Sequence, residues 1–326
     1  STEDYVEGVR SGDRTLLARA VTLIESNAPA HQEQAQEVLS RLLGHAGGSI
    51  RVGVTGVPGA GKSTLIETLG CRLVEAGHRV AVLAVDPSST RTRGSILGDK
   101  TRMEKLGRHE RAFIRPSPSG GTLGGVARKT RETMVLFEAA GYDVVLVETV
   151  GVGQSEITVR RMVDFFLLIL IAGAGDELQG IKRGVMEIAD CVAVNKADGE
   201  NRAAAERARA EYEHALHYLP PASEGWTTRV VSCSAHSGEG IDELWHLVTD
   251  FAEAGRRSGG LARRRQEQDL EWMHAMITER LRDEFYGDPV VRRRLAEVEA
   301  EVRAGRMPAT QADWSILAAR GASPEK

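Results

Sequence analysis

The stretch that most constrains this chain is Gly56-Val57-Pro58-Gly59-Ala60-Gly61-Lys62-Ser63-Thr64, set between the apolar run Arg51-Val52-Gly53-Val54 and the amphipathic run Ser63-Thr64-Leu65-Ile66-Glu67. Its glycines dictate a tight turn, and its flanks dictate a strand before it and a helix after it. A strand that feeds a helix through such a turn returns as a parallel neighbour. The chain beyond it keeps that rhythm. Apolar runs at 50–55, 79–85, 111–114, 143–147, 164–171, 190–194 and 228–232 alternate with helix patterns such as 62–76, 123–140 and 200–217. Val144-Val145-Leu146-Val147 is apolar at every position, which requires burial on both faces. The expected fold class is therefore α/β, with a mostly parallel sheet covered by helices.

Helical extensions are expected at both ends. Residues 12–44 read as two helices: Leu16, Leu17, Ala20 and Ile24 share one face, Pro29 interrupts, and Ala35, Val38, Leu39, Leu42 and Leu43 share another. Gly47-Gly48 marks a boundary, and Arg256-Arg257-Ser258-Gly259-Gly260 reads as a linker. The expected domains are an N-terminal helical extension at 1–48, a central α/β domain at 49–255 and a C-terminal helical arm at 256–326. Pro289 and Pro308 divide the arm into about three helices. Its apolar stripe of Leu270, Met273, Met276, Ile277 and Leu281 needs a surface to cover it, and Met273 and Met276 read as core. The arginines 263–265 read as a solvated helix start, and His214 and His217 as a solvated face.

Composition excludes several classes. Apolar residues make up 41% of 326, enough for a sizeable core, and a net charge of −4 gives no pull toward nucleic acid. The longest apolar run, Phe165 to Ala172, is too short to cross a bilayer. Cys71, Cys191 and Cys233 are scattered with no CxxC, which fits a reducing compartment and a cytoplasmic location, and the N-terminus lacks a signal-peptide pattern. No partner of nucleic-acid or membrane type is expected.

Several loops carry the chemistry. The spacing Gly56-x4-Gly61-Lys62-Ser63 is that of a phosphate cradle. Backbone N–H groups at Gly59, Ala60, Gly61 and Thr64 turn toward phosphate oxygens, Lys62 brings a cation to them, and Ser63 offers its hydroxyl to Mg²⁺. Asn195-Lys196-Ala197-Asp198 ends an apolar strand. A carboxylate at Asp198 accepts from guanine N1–H and N2–H₂, which adenine cannot supply at N1, so the nucleotide expected is GTP or GDP. Ser232-Cys233-Ser234-Ala235 ends the next strand, where Ser234 and Ala235 are expected to back the base with main-chain N–H groups. Glu148, in Glu148-Thr149-Val150-Gly151, is positioned to orient water or approach Mg²⁺. Asp86 and Asp99 are further acids that could approach the metal, or could be N-caps.

Together these stretches resemble the MeaB/ArgK-like GTPases, the G-protein chaperones of methylmalonyl-CoA mutase. The resemblance runs through GVPGAGKST, AVLAVDPSSTRTRGSILGDKTRM, IRPSPSGGTLGGVA, VETVGVGQSE, GAGDELQGIK and VNKAD, and covers nearly the whole chain. It implies a P-loop NTPase G domain that hydrolyses GTP. It implies Lys62 and Ser63 at phosphate and Mg²⁺, Asp86, Asp99 and Glu148 around the metal and the attacking water, and Asn195, Lys196 and Asp198 at guanine. It also implies that Asp176, Gln179 and Lys182 belong to an additional switch that relays nucleotide state to the mutase. A homodimer through the C-terminal helices, and a role in gating adenosylcobalamin delivery and protecting the mutase, are implied likewise. Arg93 stands where the family usually has a glycine, which bears on the motion of the first switch. The alternatives are a nickel-delivery GTPase, disfavoured by the absence of a His-rich tract, a chaperone of another cobalamin-dependent acyl-CoA mutase, a kinase or transport ATPase, disfavoured by Asp198, and a binding module without turnover.

Overall fold

The computed structural model describes residues 1–85, 103–116, 123–149, 154–173 and 184–319. Seven strands form one sheet: β1 (Ile50–Gly56), β2 (Val80–Val85), β3 (Ala112–Arg115), β4 (Val144–Thr149), β5 (Phe165–Ile171), β6 (Cys191–Asn195) and β7 (Arg229–Ser232). Their order is β3-β2-β4-β1-β5-β6-β7, and every pairing is parallel. All seven expected strands are present. β1 lies between β4 and β5, with Val54 opposite Glu148 and Gly56 opposite Ile169. The turn after β1 therefore emerges beside the end of β4, at the switch point where open α/β sheets bind ligands.

Both faces of the sheet are covered, which is why its strands read as continuous apolar runs. Phe165, Leu167 and Ile169 of β5 point to one face, packed in a core with Leu65, Ile66 and Leu69 of α4 (Lys62–Glu75). Leu168 and Leu170 point to the other, with Ala205 and Ala208 of a later helix, Arg202–Leu216. Each such fully buried Leu, Ile or Phe contributes about 1.5–3 kcal/mol of transfer free energy.

Three helices precede the sheet: α1 (Thr2–Arg10), α2 (Arg14–Glu25) and α3 (Pro29–Leu42). The periodicity predicted only the latter two. α1 carries few apolar residues but has a complete capping box, in which Ser1 and Asp4 satisfy each other's backbone N–H groups. Pro29 occupies the first turn of α3, so it starts that helix as well as ending the previous pattern. Further along the chain come α5 (Glu104–Gly107), α6 (Leu123–Ala139), α7 (Gln154–Arg160), α8 (Arg202–Leu216) and α9 (Ile241–Ser258). The helices α2 and α3 pack on α6. Glu138, at the end of α6, ties down the segment entering β1. It accepts from Gly47 N at 2.7 Å, Ser49 Oγ at 2.5 Å and both Nε and Nη2 of Arg51 at 2.8 Å.

The chain divides into two compact units, Ser1–Arg265 and Gln266–Lys326. The expected linker at Arg256–Gly260 is not an extended segment. α9 continues through Ser258, a single left-handed glycine at Gly259 (φ 71°) ends it, and α10 (Gly260–Gly287) begins at once. Gly259 supplies a helix cap here, a common use of glycine. In the second unit α10 is followed by α11 (Pro289–Arg303) and α12 (Ala309–Ala319), which pack on each other around Val291, Val298 and Ala312. The proline expectations hold: Asp288 caps α11 and Pro289 opens it, while Pro308 precedes α12. The stripe on α10 is exposed in this chain, with Met273 at 42%, so Met273 is not core as expected and Met276 is half-buried. Among the described residues no helix is long and apolar enough to cross a membrane.

Candidate nucleotide site

The turn between β1 and α4 has the shape its spacing predicted. Gly61 caps α4 with φ 92° and without a side-chain bond, so the first-turn N–H groups of Lys62, Ser63 and Thr64 have no intrahelical acceptor and carry the positive end of the helix. Such an end is an anion site. Only glycine fits at the two ends of the turn. A Cβ on Gly56 would lie 2.2 Å from the Ile169 carbonyl oxygen, and one on Gly61 would lie 2.5 Å from Asn195 Nδ2. Ala60 is buried within the turn and Gly59 takes φ 78°. Lys62 folds its ammonium back over the loop, donating to Gly56 O at 2.8 Å and Val57 O at 3.2 Å. Ser63 Oγ donates to Glu148 Oε1 at 2.8 Å, across from the end of β4.

The guanine-type loop is joined to this turn by one buried side chain. Asn195 Nδ2 donates to Ala60 O at 2.7 Å, and Asn195 Oδ1 accepts from Ala235 N at 2.9 Å. Three loops, after β1, β6 and β7, are thus pinned to each other. Lys196 takes φ 61°, the only positive φ of a non-glycine residue among those described, and Asn201 Nδ2 braces its carbonyl at 2.7 Å. That left-handed residue swings the chain so that Asp198 meets the β7 loop, where Ser234 Oγ donates to Asp198 Oδ2 and fixes the plane of the carboxylate. The backbone of the β7 loop differs from expectation. The N–H of Ala235 goes to Asn195 and that of Ser234 to Glu239 O at 2.9 Å, so both are engaged within the protein. These two backbone donors brace Asn195 and the β7 loop.

Of the other expected residues, Asp86, Arg93, Asp99, Asp176, Gln179 and Lys182 lie outside the described residues. Ser63 and Glu148 are together and offer hard oxygen donors, the kind Mg²⁺ takes in small number while phosphates and water complete its shell. The pair fits that ion. His214 and His217 are exposed and stand edge-on to Tyr218, and no group of three or more metal-type ligands occurs among the described residues.

Two features went unseen in the sequence. The first is Glu156 in α7, a carboxylate only 4% exposed. Burial pushes its carboxyl up, against the opposing pull of its own backbone N–H and of the Lys62 charge. The second lies at the opposite, amino end of the sheet. Asp143, Asp164 and Asp190 each stand one residue before a strand and accept the backbone N–H of an adjoining chain: Arg79 at 2.7 Å, Arg51 at 2.8 Å and Phe166 at 2.8 Å respectively. Arginines then close over two of them. Arg265 grips Asp164 with Nε at 2.8 Å and Nη2 at 2.6 Å, and Arg160 lies 3.2 Å from Asp190. Arg264 bonds Ser223, which itself donates to Asp190. Burial drives the Asp190 carboxyl up against the opposing pull of Arg160 and Arg264. The arginines 264 and 265 are therefore half-buried anchors and not the solvated helix start expected.

A glycine turn of phosphate-cradle spacing, the Ser63–Glu148 oxygen pair and the Asn195–Asp198 loop, all held at one end of a parallel sheet, have the arrangement of a P-loop GTPase. Residues 17–289 match the family described as methylmalonyl Co-A mutase-associated GTPase MeaB, and the chain belongs to that family. It is 51% identical to GTPase ArgK of Escherichia coli, over 87% of this chain and 86% of that one. It is 48% identical to the mitochondrial methylmalonic aciduria type A homolog of Mus musculus, over 95% of this chain and 78% of the relative. A crystal structure described as LAO/AO transport system kinase superposes with a TM-score of 0.80 at 40% identity, covering 98% of each chain.

Proposed function

We propose that this GTPase is a G-protein chaperone of methylmalonyl-CoA mutase, gating adenosylcobalamin delivery to that enzyme and protecting it. The observation that carries the reading is the match of residues 17–289 to a family described by its association with that mutase. GTP sits with its base at Asn195, Lys196 and Asp198, its phosphates on the turn 56–64 and the ammonium of Lys62 beside them. Lys62 swings from the Gly56 and Val57 carbonyls to the phosphates and offsets the charge that develops as the terminal phosphoryl departs. Glu148 orients the attacking water. Mg²⁺, when bound, supplies further positive charge at the phosphates; Ser63 and Glu148 would hold it, with Asp86 and Asp99 completing the set. The terminal phosphate orders the switch loops and its loss releases them, which makes hydrolysis a timer for the partner. Asp176, Gln179 and Lys182 carry that state to the mutase. A homodimer is supported by the exposed apolar stripe of Leu270, Met273, Ile277 and Leu281.

Purified mutase titrated against the full chain tests this reading. GTP turnover is expected to rise with mutase, and complex formation by calorimetry to depend on whether GDP or a non-hydrolysable GTP analogue is bound. Lys182→Ala is expected to keep nucleotide affinity and lose the stimulation. No complex and no change in turnover with either nucleotide would overturn the partner assignment.

A further inference from the structure

Lys196 takes φ 61°, a left-handed conformation that a residue with a Cβ rarely adopts, two residues before Asp198. Such a residue persists only where its surroundings hold it, and residues of this kind gather at ligand clamps. Here the holding contacts come from two sides. The next N–H, that of Ala197, donates to Cys233 O at 3.0 Å. The Lys196 carbonyl accepts from Asn201 Nδ2 at 2.7 Å. A carbonyl can only accept, so this contact fixes which way the Asn201 amide faces. Asn201 also donates its backbone N–H to Asp198 O at 3.0 Å, so one residue holds the carbonyls of both Lys196 and Asp198. Asn201 stands at the N-cap of α8, where an asparagine side chain ordinarily accepts from the first-turn N–H groups. It makes no such bond, and its side chain serves the loop instead of the helix. The neighbouring ion pair, Arg202 Nη2 to Glu239 Oε1 at 2.7 Å, has both side chains more than half exposed and adds little.

We propose that Asn201 is a positioning residue for guanine recognition: by holding Lys196 in its left-handed turn, it sets the direction from which the Asp198 carboxylate meets the base. The inference rests on the assignment of Asp198 to guanine. Ser234 fixes the plane of that carboxylate from the β7 loop, and Asn201 fixes the backbone that carries it. A carboxylate set in this way accepts from guanine N1–H and N2–H₂ together. Two parallel bonds need a closer alignment than one, so a carboxylate that is turned keeps one bond more readily than both. Hypoxanthine has the N1–H and lacks the 2-amino group, so it asks for only one of the two bonds. Loss of Asn201 therefore falls harder on a guanine nucleotide than on a hypoxanthine nucleotide.

The test is calorimetric titration of the full chain, unmodified or carrying Asn201→Ala, Asn201→Asp or Asp198→Ala, with GDP and with inosine diphosphate. Both dissociation constants come from one preparation, so any misfolded fraction drops out of their ratio. Asn201→Ala is expected to weaken GDP binding by about threefold to tenfold, as loss of one hydrogen bond does. The preference for GDP over inosine diphosphate is expected to shrink by about twofold to fivefold, a change that a merely structural role would not produce. Asn201→Asp keeps the size and the turn preference of the side chain but replaces its donor with an acceptor, so it is expected to lose at least as much. A preference at the unmodified level in either Asn201 variant, whether or not affinity falls, would overturn the inference. Asp198→Ala separates the two levels. If it keeps the preference, the base assignment itself fails; if it abolishes the preference while an Asn201 variant retains it, only the role of Asn201 fails.

Discussion

At the carboxyl end of the sheet, the backbone N–H groups of Lys62, Ser63 and Thr64 open α4, where the helix itself supplies no acceptor and no side chain caps them. At the amino end, N–H groups of Arg51, Arg79 and Phe166 are taken by the carboxylates of Asp164, Asp143 and Asp190. The two ends face the same problem, since every parallel strand leaves polar groups unpaired where it stops. One end is closed with aspartates and arginines and gains stability. The other leaves the start of α4 without a side-chain cap, braces its turn through Asn195, and offers the kind of helix end that anions favour. Stability and binding are thus segregated to opposite ends of the same strands, and substitutions should separate them.

The largest effect is expected from the closed end. Asp190→Ala leaves the half-buried Arg160 without its carboxylate and should cost about 3–5 kcal/mol in urea unfolding at neutral pH, with turnover per folded molecule unchanged. A loss below about 1 kcal/mol would mean that the pair is incidental. At the open end the pattern should invert. Lys62→Ala should lower single-turnover GTP hydrolysis by about a hundredfold or more and leave the urea midpoint nearly where it was. A large drop in stability with hydrolysis intact would erase the distinction between the ends.

A smaller and pH-dependent effect belongs to Glu138. Burial raises its carboxyl, but the Arg51 bonds and charge, with Ser49 and Gly47, outweigh burial and hold it below its ordinary 4.5. A depressed carboxyl stabilises the fold above its unfolded value and stops doing so as pH falls through its folded value. Glu138→Gln should therefore cost about 2 kcal/mol at pH 7, and the gap between the two proteins should close as the pH is taken below 4.5. Urea unfolding across that range checks the sign; a gap that widens toward acid would reverse it.

The same contrast explains what the sequence made legible. The strands were readable because burial on both faces leaves no polar position in Val144-Val145-Leu146-Val147, and the phosphate turn because its glycines sit where no Cβ fits. Asn195 and Asp198 were readable as a motif. The Asn195 bond to Ala60 spans 135 residues and could not be seen locally. The aspartates before β4, β5 and β6 were in plain view, yet an acid beside an apolar run looks like any turn residue. Their meaning depends on arginines such as Arg265, 101 residues from Asp164. A run of three arginines ordinarily faces solvent, so nothing local marked Arg264 and Arg265 as anchors. Glu156 was hidden as well, because nothing local marks an acid of a short helix as buried. Gly259-Gly260 misled because one left-handed cap and a flexible joint are spelled alike.

Asn195 bears on how the loops at this end of the sheet move. Its amide joins the loops after β1 and β7 to the end of β6, and parting them would strand a buried donor or acceptor at a cost of about 1–3 kcal/mol. These three loops are therefore expected to move as one body.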